Sequence, residues 1–411
     1  MREFIRHARN TVALCNSSIH TCSLLLRSFE NLTQFPLSIL FRLSLLSSSF
    51  LLFAREKKKK KKTIITSVLE HHSNFVPWLH LSSAHKIPLS VIPLNVEKSG
   101  IDMKKLEEEM NNGGNDIGLI SLSHISNVLG SILDIPKVVQ LRNQYCPNAK
   151  LLLDACQSIS HTKIDTSTFP FNNIDFMVFS SHKMYGPTGI GVLYVRDPSD
   201  LLAEDVYPWK FGGSMIGDVY ATSSELPQDT NNNNANNYGG GDEQDNEVIK
   251  NQNVFTGGSF TLSPELSTRF EGGTPQISQA IGLGAACSYL QTKVGLTNLI
   301  EHETNLTSLL YKLLSLEIPN IIIHGPKFNE PRGSLVTFSI PNIHPQDLTT
   351  YLSTFHNISL RDGMHCCQPL HASLGVTSSL RVSVGVYNFE GEVEEVVKRI
   401  GEGVRFLLGE D

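Results

Sequence analysis

Short apolar runs alternate with helical stretches between residues 64 and 260. The apolar runs are rich in β-branched and aromatic residues and are bounded by polar ones, a pattern that predicts buried strands. Strands that alternate with helices predict βαβ units in a mostly parallel sheet. The predicted strands cover residues 64–68, 91–94, 117–122, 151–153 and 176–179, and the predicted helices cover residues 103–110 and 137–145.

The pattern changes near residue 295. A long helix rich in small and apolar residues is predicted at 277–292, followed by strands at 335–340, 358–360 and 381–386 and a closing helix at 391–408. This mixture predicts a smaller α+β unit. We therefore divide the chain into a large α/β domain at 63–294 and a small C-terminal domain at 295–411.

One segment interrupts the large domain. Residues 221–256 are rich in Asn, Gly and acidic residues and include a run of four Asn and a run of three Gly. Such a composition cannot bury enough apolar surface to fold, so it predicts a disordered loop insertion.

The N-terminal segment at 1–62 is also atypical. Residues 1–55 are rich in Leu, Ser and Arg and contain only two acidic residues, Glu3 and Glu30, a composition typical of organelle transit peptides. The apolar stretch at 39–54 is shorter than the ~20 residues that a membrane span needs, so no stable membrane insertion is expected. Two interpretations remain: a plastid or mitochondrial targeting segment, or an incorrect gene-model start on a cytoplasmic protein.

Composition narrows the function classes. The net charge of −6 gives no sign of nucleic-acid binding, and 40% hydrophobic residues can fill a sizeable core. The seven cysteines lack regular spacing and form no Cys-x-x-Cys pair, so neither a disulfide framework nor a zinc site is indicated. A reducing compartment is the simplest inference.

Lys183 is the most informative candidate residue. It lies just after the predicted strand at 176–179, in Ser180-Ser-His-Lys183, and the chain then turns at Gly186 and Pro187. Such a turn can hold a lysine amine rigidly in a cleft, which suits a Schiff base with pyridoxal 5'-phosphate (PLP) while hydroxyl and imidazole groups bind the phosphate. The alternative is an ordinary polar surface turn.

Asp154 follows the predicted strand at 151–153, in Asp154-Ala-Cys-Gln157. A carboxylate at the carboxyl end of a parallel strand can pair with a protonated pyridine nitrogen, and Gln157 can donate to the ring oxygen. The alternative is an aspartate that caps a following helix.

The order of motifs resembles the SufS-type cysteine desulfurases, which belong to the class V aminotransferase group of fold-type I PLP enzymes. Eight motifs occur in the family's order and cover about residues 63–410. They are Glu70-His-His-Ser-Asn-Phe-Val-Pro-Trp78, Ser123-His-Ile-Ser-Asn-Val-Leu-Gly130, Asp154-Ala-Cys-Gln157, Ser180-Ser-His-Lys183 with Tyr185-Gly-Pro-Thr-Gly189, Gly212-Gly-Ser-Met-Ile216, Phe270-Glu-Gly-Gly-Thr-Pro275, Arg361-Asp-Gly-Met-His-Cys366 and Leu380-Arg-Val-Ser-Val384.

The resemblance implies a fold-type I homodimer whose large domain has a mostly parallel, seven-stranded sheet, with a smaller α+β domain. It assigns the Schiff base with PLP to Lys183, and stacking on the pyridine face with a part in proton transfer to His71. The other cofactor contacts are implied for Asp154 at the ring nitrogen, Gln157 at the ring hydroxyl, and Ser180, His182 and a second subunit's Thr274 at the phosphate.

For the substrate, the resemblance implies that Asn127 and Arg381 bind around the carboxylate and that Arg361 lies near the nucleophile. Cys366 is implied as the thiolate that attacks the substrate sulfur, and we interpret the adjacent Cys367 as a bystander. Since a reactive thiolate needs positive or hydrogen-bonding neighbours, His365 and Arg361 are the candidates for that support.

The implied activity converts L-cysteine to L-alanine, leaves a persulfide on Cys366, and supplies sulfur for iron–sulfur cluster assembly through a SufE-like or SufU-like acceptor. Three alternatives stay open: a selenocysteine lyase acting on L-selenocysteine, a class V aminotransferase, or a non-catalytic relative that serves as a partner protein. The thiol in Arg-x-Gly-x-His-Cys favours desulfuration, because transamination needs no thiol.

The resemblance starts only near Thr63. The family's front portion normally supplies a helix-start loop whose backbone amides bind the PLP phosphate. We therefore expect this chain to hold PLP weakly, and the non-catalytic alternative gains support from this difference.

Overall fold

The computed structural model describes residues 39–41, 62–97, 99–197, 212–220 and 259–410 of the chain. The disordered insertion predicted at 221–256 lies outside the described residues, as does most of the segment at 1–62.

The elements are numbered here in chain order. The strands are β1 (Ile39–Phe41), β2 (Thr63–Ser67), β3 (Leu89–Ile92), β4 (Leu94–Asn95), β5 (Gly100–Ile101), β6 (Ile117–Ser123), β7 (Lys150–Asp154), β8 (Phe176–Ser180), β9 (Gly191–Val195), β10 (Ile216–Tyr220), β11 (Ser259–Leu262), β12 (Ile322–His324), β13 (Leu335–Ser339), β14 (Arg361–Gly363) and β15 (Ser379–Ser383). The α-helices are α1 (His72–His85), α2 (Met103–Gly113), α3 (Ile135–Tyr145), α4 (Leu266–Arg269), α5 (Ile277–Tyr289), α6 (Leu296–Glu317), α7 (Pro345–His356), α8 (Gln368–Leu374) and α9 (Glu390–Leu408). No helix within the described ranges is both long and apolar enough to span a lipid bilayer.

The large sheet has seven strands in the order β1-β9-β8-β7-β6-β2-β3. Strands β2, β3, β6, β7 and β8 are parallel, whereas β9 pairs antiparallel with both β8 and β1. All of β8 is buried, as expected for a strand of a parallel sheet that is covered on both faces. The predicted mostly parallel sheet is therefore confirmed, and the carboxyl ends of its parallel strands meet along one edge, where ligands bind in this architecture.

A smaller, four-stranded antiparallel sheet has the order β12-β13-β15-β14. Helices α6, α7 and α9 pack with this sheet around an apolar core that is separate from the core of the large sheet. This arrangement has the α+β character predicted for the C-terminal part. Cys367 and Leu370 nevertheless belong to the large core, so the domain boundary near residue 295 stays a prediction.

The strand predicted at 358–360 is wrong, because the backbone there is irregular and the strand begins at Arg361. The cause is the C-terminus of α7. Asn357 caps this helix in the left-handed conformation, with φ of 54°, and the N–H groups of Asn357 and Ile358 both donate to the carbonyl of Leu352. Ile358 and Leu360 are apolar because they pack on the small core rather than because they pair in a sheet.

The large sheet begins earlier in the chain than the sequence predicts. Strand β1 lies inside the segment at 1–62 and pairs with β9, with Ile39 opposite Leu193 and Phe41 opposite Gly191. Residues 39–41 therefore form an edge strand of the large sheet, whereas the sequence pattern suggested that the whole segment at 1–62 is separate from the fold.

Candidate active site

The candidate residues of the large sheet lie at one edge of it. Asp154 is the last residue of β7, Ser180 is the last residue of β8, and Asn127 follows β6. His71 lies between β2 and α1, as the N-cap of that helix. Four segments that are distant in the sequence thus converge because their parallel strands end at the same edge.

The turn that carries Lys183 is tightly fixed. Residues 181–184 form one 3₁₀ turn, which Tyr185 ends in the left-handed conformation, with φ of 63°. Ser160 Oγ donates to the carbonyl of Lys183 at 3.0 Å, and a Cβ on Gly186 would clash with Ser181 Oγ, so a larger residue at position 186 would displace the Ser181 side chain. The Lys183 amine makes no hydrogen bond or ion pair with any residue that the structure describes. A fixed backbone thus presents an amine that is free to react.

Asp154 is a buried carboxylate, only 5% exposed. One of its oxygens accepts the N–H of Cys156 at 2.9 Å, and no α-helix follows, so the helix-cap alternative is wrong. Burial, followed by the charge of Asp154, raises the pKa of the Cys156 thiol to about 12, while the charge of Lys183 lowers it. The carboxylate of Asp154 and the amine of Lys183 therefore lie on the same side of the strand ends.

His71 faces both of these groups as a neutral imidazole. Burial, followed by the charge of Lys183, lowers the pKa of His71 to about 4, and the opposing charge of Asp154 offsets this only in part. The backbone N–H of Ser73 donates to Nδ1 of His71 at 3.2 Å. Since Nδ1 accepts, the proton of the neutral ring is on Nε2. A neutral ring with a defined tautomer suits stacking and proton transfer better than a cation would.

Glu70 precedes His71 and is the buried anchor of its segment. Its carboxylate accepts from Ser67 Oγ at 2.6 Å, from Asn74 Nδ2 at 2.7 Å and from Ser123 Oγ at 2.5 Å. Burial raises the pKa of Glu70 to about 7, and these three hydrogen bonds oppose the rise without cancelling it. The carboxylate thus ties the end of β2 and the start of α1 to the end of β6.

We predict a pH-dependent stability from Glu70. Its pKa in the folded protein exceeds the ordinary value of 4.5, so its contribution is fully present below that pH and is lost as the pH rises through about 7. Glu70→Gln is neutral at every pH. The free energy of unfolding of the wild type relative to this variant should therefore fall by up to ~3 kcal/mol across that window.

Urea unfolding at a series of pH values measures this difference. Glu108→Gln, at an exposed carboxylate on α2, controls for the loss of one charge. The prediction is contradicted if the free energy of unfolding of the wild type minus that of Glu70→Gln stays constant or rises between pH 4 and pH 8.

The loop that carries Cys366 comes from the small sheet and is bound to the large one. The N–H of His72 donates to the carbonyl of Cys366 at 2.8 Å, and Asn127 Nδ2 donates to the carbonyl of His365 at 2.8 Å. Arg381 in turn donates to the carbonyl of Asn127 at 2.7 Å. The bonds from His72 and Asn127 use backbone carbonyls of the loop, so they hold it against the strand ends without using the Cys366 side chain.

The two adjacent thiols lie in different environments. Cys366 is half-buried, whereas Cys367 is fully buried and its thiol contacts the carbonyl of Glu70 at 3.2 Å. Burial, followed by the charge of Glu70, raises the pKa of Cys367 to about 12. Since the thiolate is the reactive form, the burial and the raised pKa of Cys367 disfavour a reactive role for this thiol.

Support for the Cys366 thiolate differs from what the sequence suggested. His365 is buried, and burial followed by the charge of Arg381 lowers its pKa to about 3, so it supplies no positive charge. The positive charges nearby belong to two arginines, because Arg361 pairs directly opposite Arg381 across β14 and β15. Burial, followed by the charge of Arg361, lowers the pKa of Arg381, and Cys366 opposes this shift, which indicates that the guanidinium lies near the thiol.

The remaining predicted residues are more exposed than Asp154. Gln157 is half-buried in the turn after Asp154, and His182 is exposed beside Lys183. Thr274 is exposed in a loop where the N–H of Gly273 donates to the carbonyl of Gly213 at 2.8 Å. None of the contacts described for this loop joins it to the Lys183 turn of the same chain.

Glu303 is a residue that the sequence analysis missed. It is only 1% exposed and accepts from His161 Nδ1 at 2.5 Å, from the Tyr185 hydroxyl at 3.0 Å and from Ser334 Oγ at 2.8 Å. The Tyr185 hydroxyl also accepts the N–H of Val386 at 3.0 Å. The sequence does contain an indication that Glu303 is buried, because this carboxylate lies on the apolar stripe of α6, four residues after Leu299 and three before Leu306.

The chain belongs to the family described as Aminotransferase class-V, whose model matches residues 47–240 and 247–396. Cysteine desulfurases from Escherichia coli O8 (strain IAI1) and Shigella sonnei (strain Ss046) are each 33% identical to it over 346 residues, which are 84% of this chain and 71% of each relative. The match begins at residue 47, so it includes part of the segment at 1–62.

Two solved structures of cysteine desulfurases are also similar to this chain. The cysteine desulfurase CsdA from Escherichia coli superposes with a TM-score of 0.70 at 28% identity, over 89% of this chain and 78% of that one. The cysteine desulfurase from Thermococcus onnurineus NA1 superposes with a TM-score of 0.71 at 26% identity, over 89% of this chain and 79% of that one. The inferred resemblance to cysteine desulfurases of the class V aminotransferase group, and the fold class that it implied, are thereby confirmed, whereas the SufS-type subtype stays a prediction.

Proposed function

We propose that this protein is a PLP-dependent cysteine desulfurase that converts L-cysteine to L-alanine and takes up the substrate sulfur as a persulfide on Cys366. The observation that carries the proposal is the docking of the cysteine loop. Hydrogen bonds from His72 and Asn127 hold the backbone of Cys366 and His365 at the strand ends where Lys183 and Asp154 meet. An aminotransferase needs no thiol at this place.

The residues at the strand ends fit PLP. Lys183 offers an unpaired amine, and Asp154 offers a buried carboxylate for a pyridinium nitrogen. Ser180 Oγ is buried with only the Cys156 thiol, 3.5 Å away, as a partner, and Ser181 Oγ is buried with none among the described residues. Such hydroxyls are available to an incoming phosphate. Gln157 and His182, together with Thr274 from a second subunit, would complete the contacts.

When bound, PLP supplies an electron sink for the negative charge that forms at the substrate Cα. The protein's own groups do the rest. Lys183 Nζ would hold the cofactor and would move the proton at Cα. His71, neutral and protonated on Nε2, would stack on the ring and take part in proton transfer. Asp154 would keep the ring nitrogen protonated, because an anion beside it favours the cationic form.

The substrate carboxylate is assigned to Arg381 and Asn127. Arg381 uses one N–H group on the carbonyl of Asn127, and its Nε is buried without a partner among the described residues. A carboxylate can accept from such a guanidinium in a charge-assisted bond. Arg361, on the neighbouring strand, adds positive charge at the thiol end of the site.

The sulfur transfer balances without an added oxidant. The thiolate of Cys366 attacks the substrate Sγ, an S–S bond forms, and the bond between Sγ and Cβ breaks. The electron pair of that bond remains on the carbon side, where protonation gives alanine. The products are L-alanine and a persulfide on Cys366, which a SufE-like or SufU-like acceptor would remove for iron–sulfur cluster assembly.

The function is tested with the purified full chain and PLP. We expect L-cysteine plus a thiol reductant to yield alanine and sulfide in equal amounts. An aminotransferase would instead require a 2-oxo acid and give no sulfide, and a selenocysteine lyase would release alanine from L-selenocysteine only. The absence of alanine at every PLP concentration tried would support the non-catalytic alternative and contradict the proposal.

We also propose that the protein acts as a homodimer. Thr274 is exposed and makes no described contact with the Lys183 turn of its own chain. Large apolar side chains are exposed on α1, at Val76 and Leu79, and on α5, at Ile281 and Tyr289. Exposed apolar residues on helices next to the site suit a subunit interface through which each chain completes the other's phosphate contacts.

A further inference from the structure

Two buried histidines meet at one serine hydroxyl behind the cysteine loop. His365 Nε2 lies 3.0 Å from Ser379 Oγ, and His371 Nε2 lies 2.9 Å from the same oxygen. His371 Nδ1 lies 3.1 Å from the carbonyl of Cys367. All three side chains are almost fully buried, with exposures of 3%, 1% and 0% for His365, His371 and Ser379. The group therefore connects both sides of Cys366 to β15.

Only one assignment of donors and acceptors satisfies all three hydrogen bonds of this group. A carbonyl only accepts, so His371 Nδ1 donates to the carbonyl of Cys367. Burial lowers the pKa of His371, so the ring is neutral and its Nε2 must accept the proton of the Ser379 hydroxyl. The lone pair of Ser379 Oγ is then left for His365, which must donate from Nε2. His365 Nδ1 remains a bare lone pair, and it is indeed buried without a hydrogen-bond partner among the described residues.

The backbone beside this group is strained. His365 and Cys366 are consecutive non-glycine residues in the left-handed conformation, with φ of 51° and 55°. Residues other than glycine persist in this region only where their surroundings determine their conformation. The carbonyls of His365 and Cys366 accept hydrogen bonds from Asn127 and His72, but those bonds do not fix the His365 side chain. The hydrogen bond between His365 Nε2 and Ser379 Oγ fixes that side chain.

We infer that His365, Ser379 and His371 are positioning residues whose ordered chain of hydrogen bonds holds the Cys366 thiol in place for sulfur transfer. The inference rests on the proposed desulfurase function. Ser379 fixes the side chain of His365, which precedes Cys366. His371 fixes the carbonyl of Cys367, which follows Cys366. The strained turn is thereby held from both sides, and the Cα–Cβ bond of Cys366 keeps one direction relative to the strand ends. None of the three residues needs to touch the substrate.

The test compares Ser379→Ala with Ser379→Thr. Alanine removes the single hydroxyl that joins the two imidazoles, whereas threonine keeps it. In PLP-loaded protein we expect Ser379→Ala to lower kcat for alanine formation by about 10- to 100-fold, with KM and bound PLP unchanged, since misplacement of a reacting group by about 1 Å has effects of this size. Ser379→Thr should recover most of the rate. Equal rates in Ser379→Ala and the wild type would overturn the inference.

A second pair of variants covers the case in which the serine variants fail to fold. His371→Gln retains one donor and one acceptor at the two ends of a planar amide, whereas His371→Leu retains neither. We expect His371→Gln to exceed His371→Leu in kcat and to keep the wild-type rate of Cys366 alkylation by iodoacetamide, which requires no turnover. Matching alkylation rates and kcat values in the two variants would overturn the inference.

The proton order can be measured in the wild-type protein. Nitrogen NMR of histidine-labelled protein should show His365 protonated on Nε2 and His371 protonated on Nδ1. The reverse assignment for either ring would overturn the inference. The NMR and alkylation readouts do not depend on the reaction, so they separate failure of this inference from failure of the proposed function, which would appear as a wild type that makes no alanine.

Discussion

Replacing Lys183 with alanine should abolish both the turnover of L-cysteine and the covalent attachment of PLP. The 3₁₀ turn at residues 181–184 and the glycine at position 186 direct this one amine toward Asp154 and His71. An amine from solution cannot replace one that is already held at the reacting atom, so the rate should fall by more than ~10³-fold. Alanine formation and the absorbance band of lysine-bound PLP are the two measurements.

The matched control is Lys104→Ala, which removes an exposed lysine from α2 and should leave both measurements unchanged. Near-wild-type alanine formation by Lys183→Ala would mean that another lysine holds the cofactor. In that case the assignment of Lys183 is wrong even if the protein is a desulfurase.

The second large effect is expected at the thiols. Cys366→Ser should still bind PLP and L-cysteine but should form no persulfide, and alanine formation should fall by more than ~100-fold because a serine hydroxyl is a far weaker nucleophile toward sulfur. The neighbouring thiol cannot substitute for it. Cys367 is buried, and burial raises the pKa of its thiol to about 12, so it carries very little thiolate at pH 7.

Cys367→Ser is the internal control, because its hydroxyl can still donate to the carbonyl of Glu70 that the thiol contacts now. It should keep most of the activity and all of the persulfide. The measurement is the transfer of radioactive sulfur from L-cysteine to each protein. Label that stays on Cys366→Ser and is lost from Cys367→Ser would show that the reactive thiol is Cys367.

The sequence predicted those parts of the fold whose burial is local. Strands β7 and β8 are covered on both faces, so their central residues are all apolar and this apolar run indicates the strand. The polar residues that end these runs, Asp154 and Ser180, lie where the carboxyl ends of parallel strands must lie. The position of the candidate site at this edge of the sheet was therefore predictable before any distance was known.

Features that depend on pairing with distant residues were not predictable. Strand β1 is apolar, but nothing within residues 39–41 shows that they pair with Leu193 and its neighbours. The effect of burial on the charge of a side chain was not predictable for the same reason. His365 was a candidate cation because it precedes Cys366, yet its ring is enclosed beside Arg381 and stays neutral. The position of His365 next to Cys366 in the sequence correctly predicted that the two residues lie close together, but the positive charge expected for His365 was wrong.

The buried carboxylate of Glu303 has a consequence for how the two halves of the protein come apart. Its partners belong to both halves, with His161 and Tyr185 beside the large sheet and Ser334 next to β13. Separation of the halves would remove two of the three donors, His161 and Tyr185, from this buried carboxylate, which is strongly unfavourable. The two sheets should therefore melt together as one cooperative unit, and a substrate must reach Lys183 without any hinge-like opening between them.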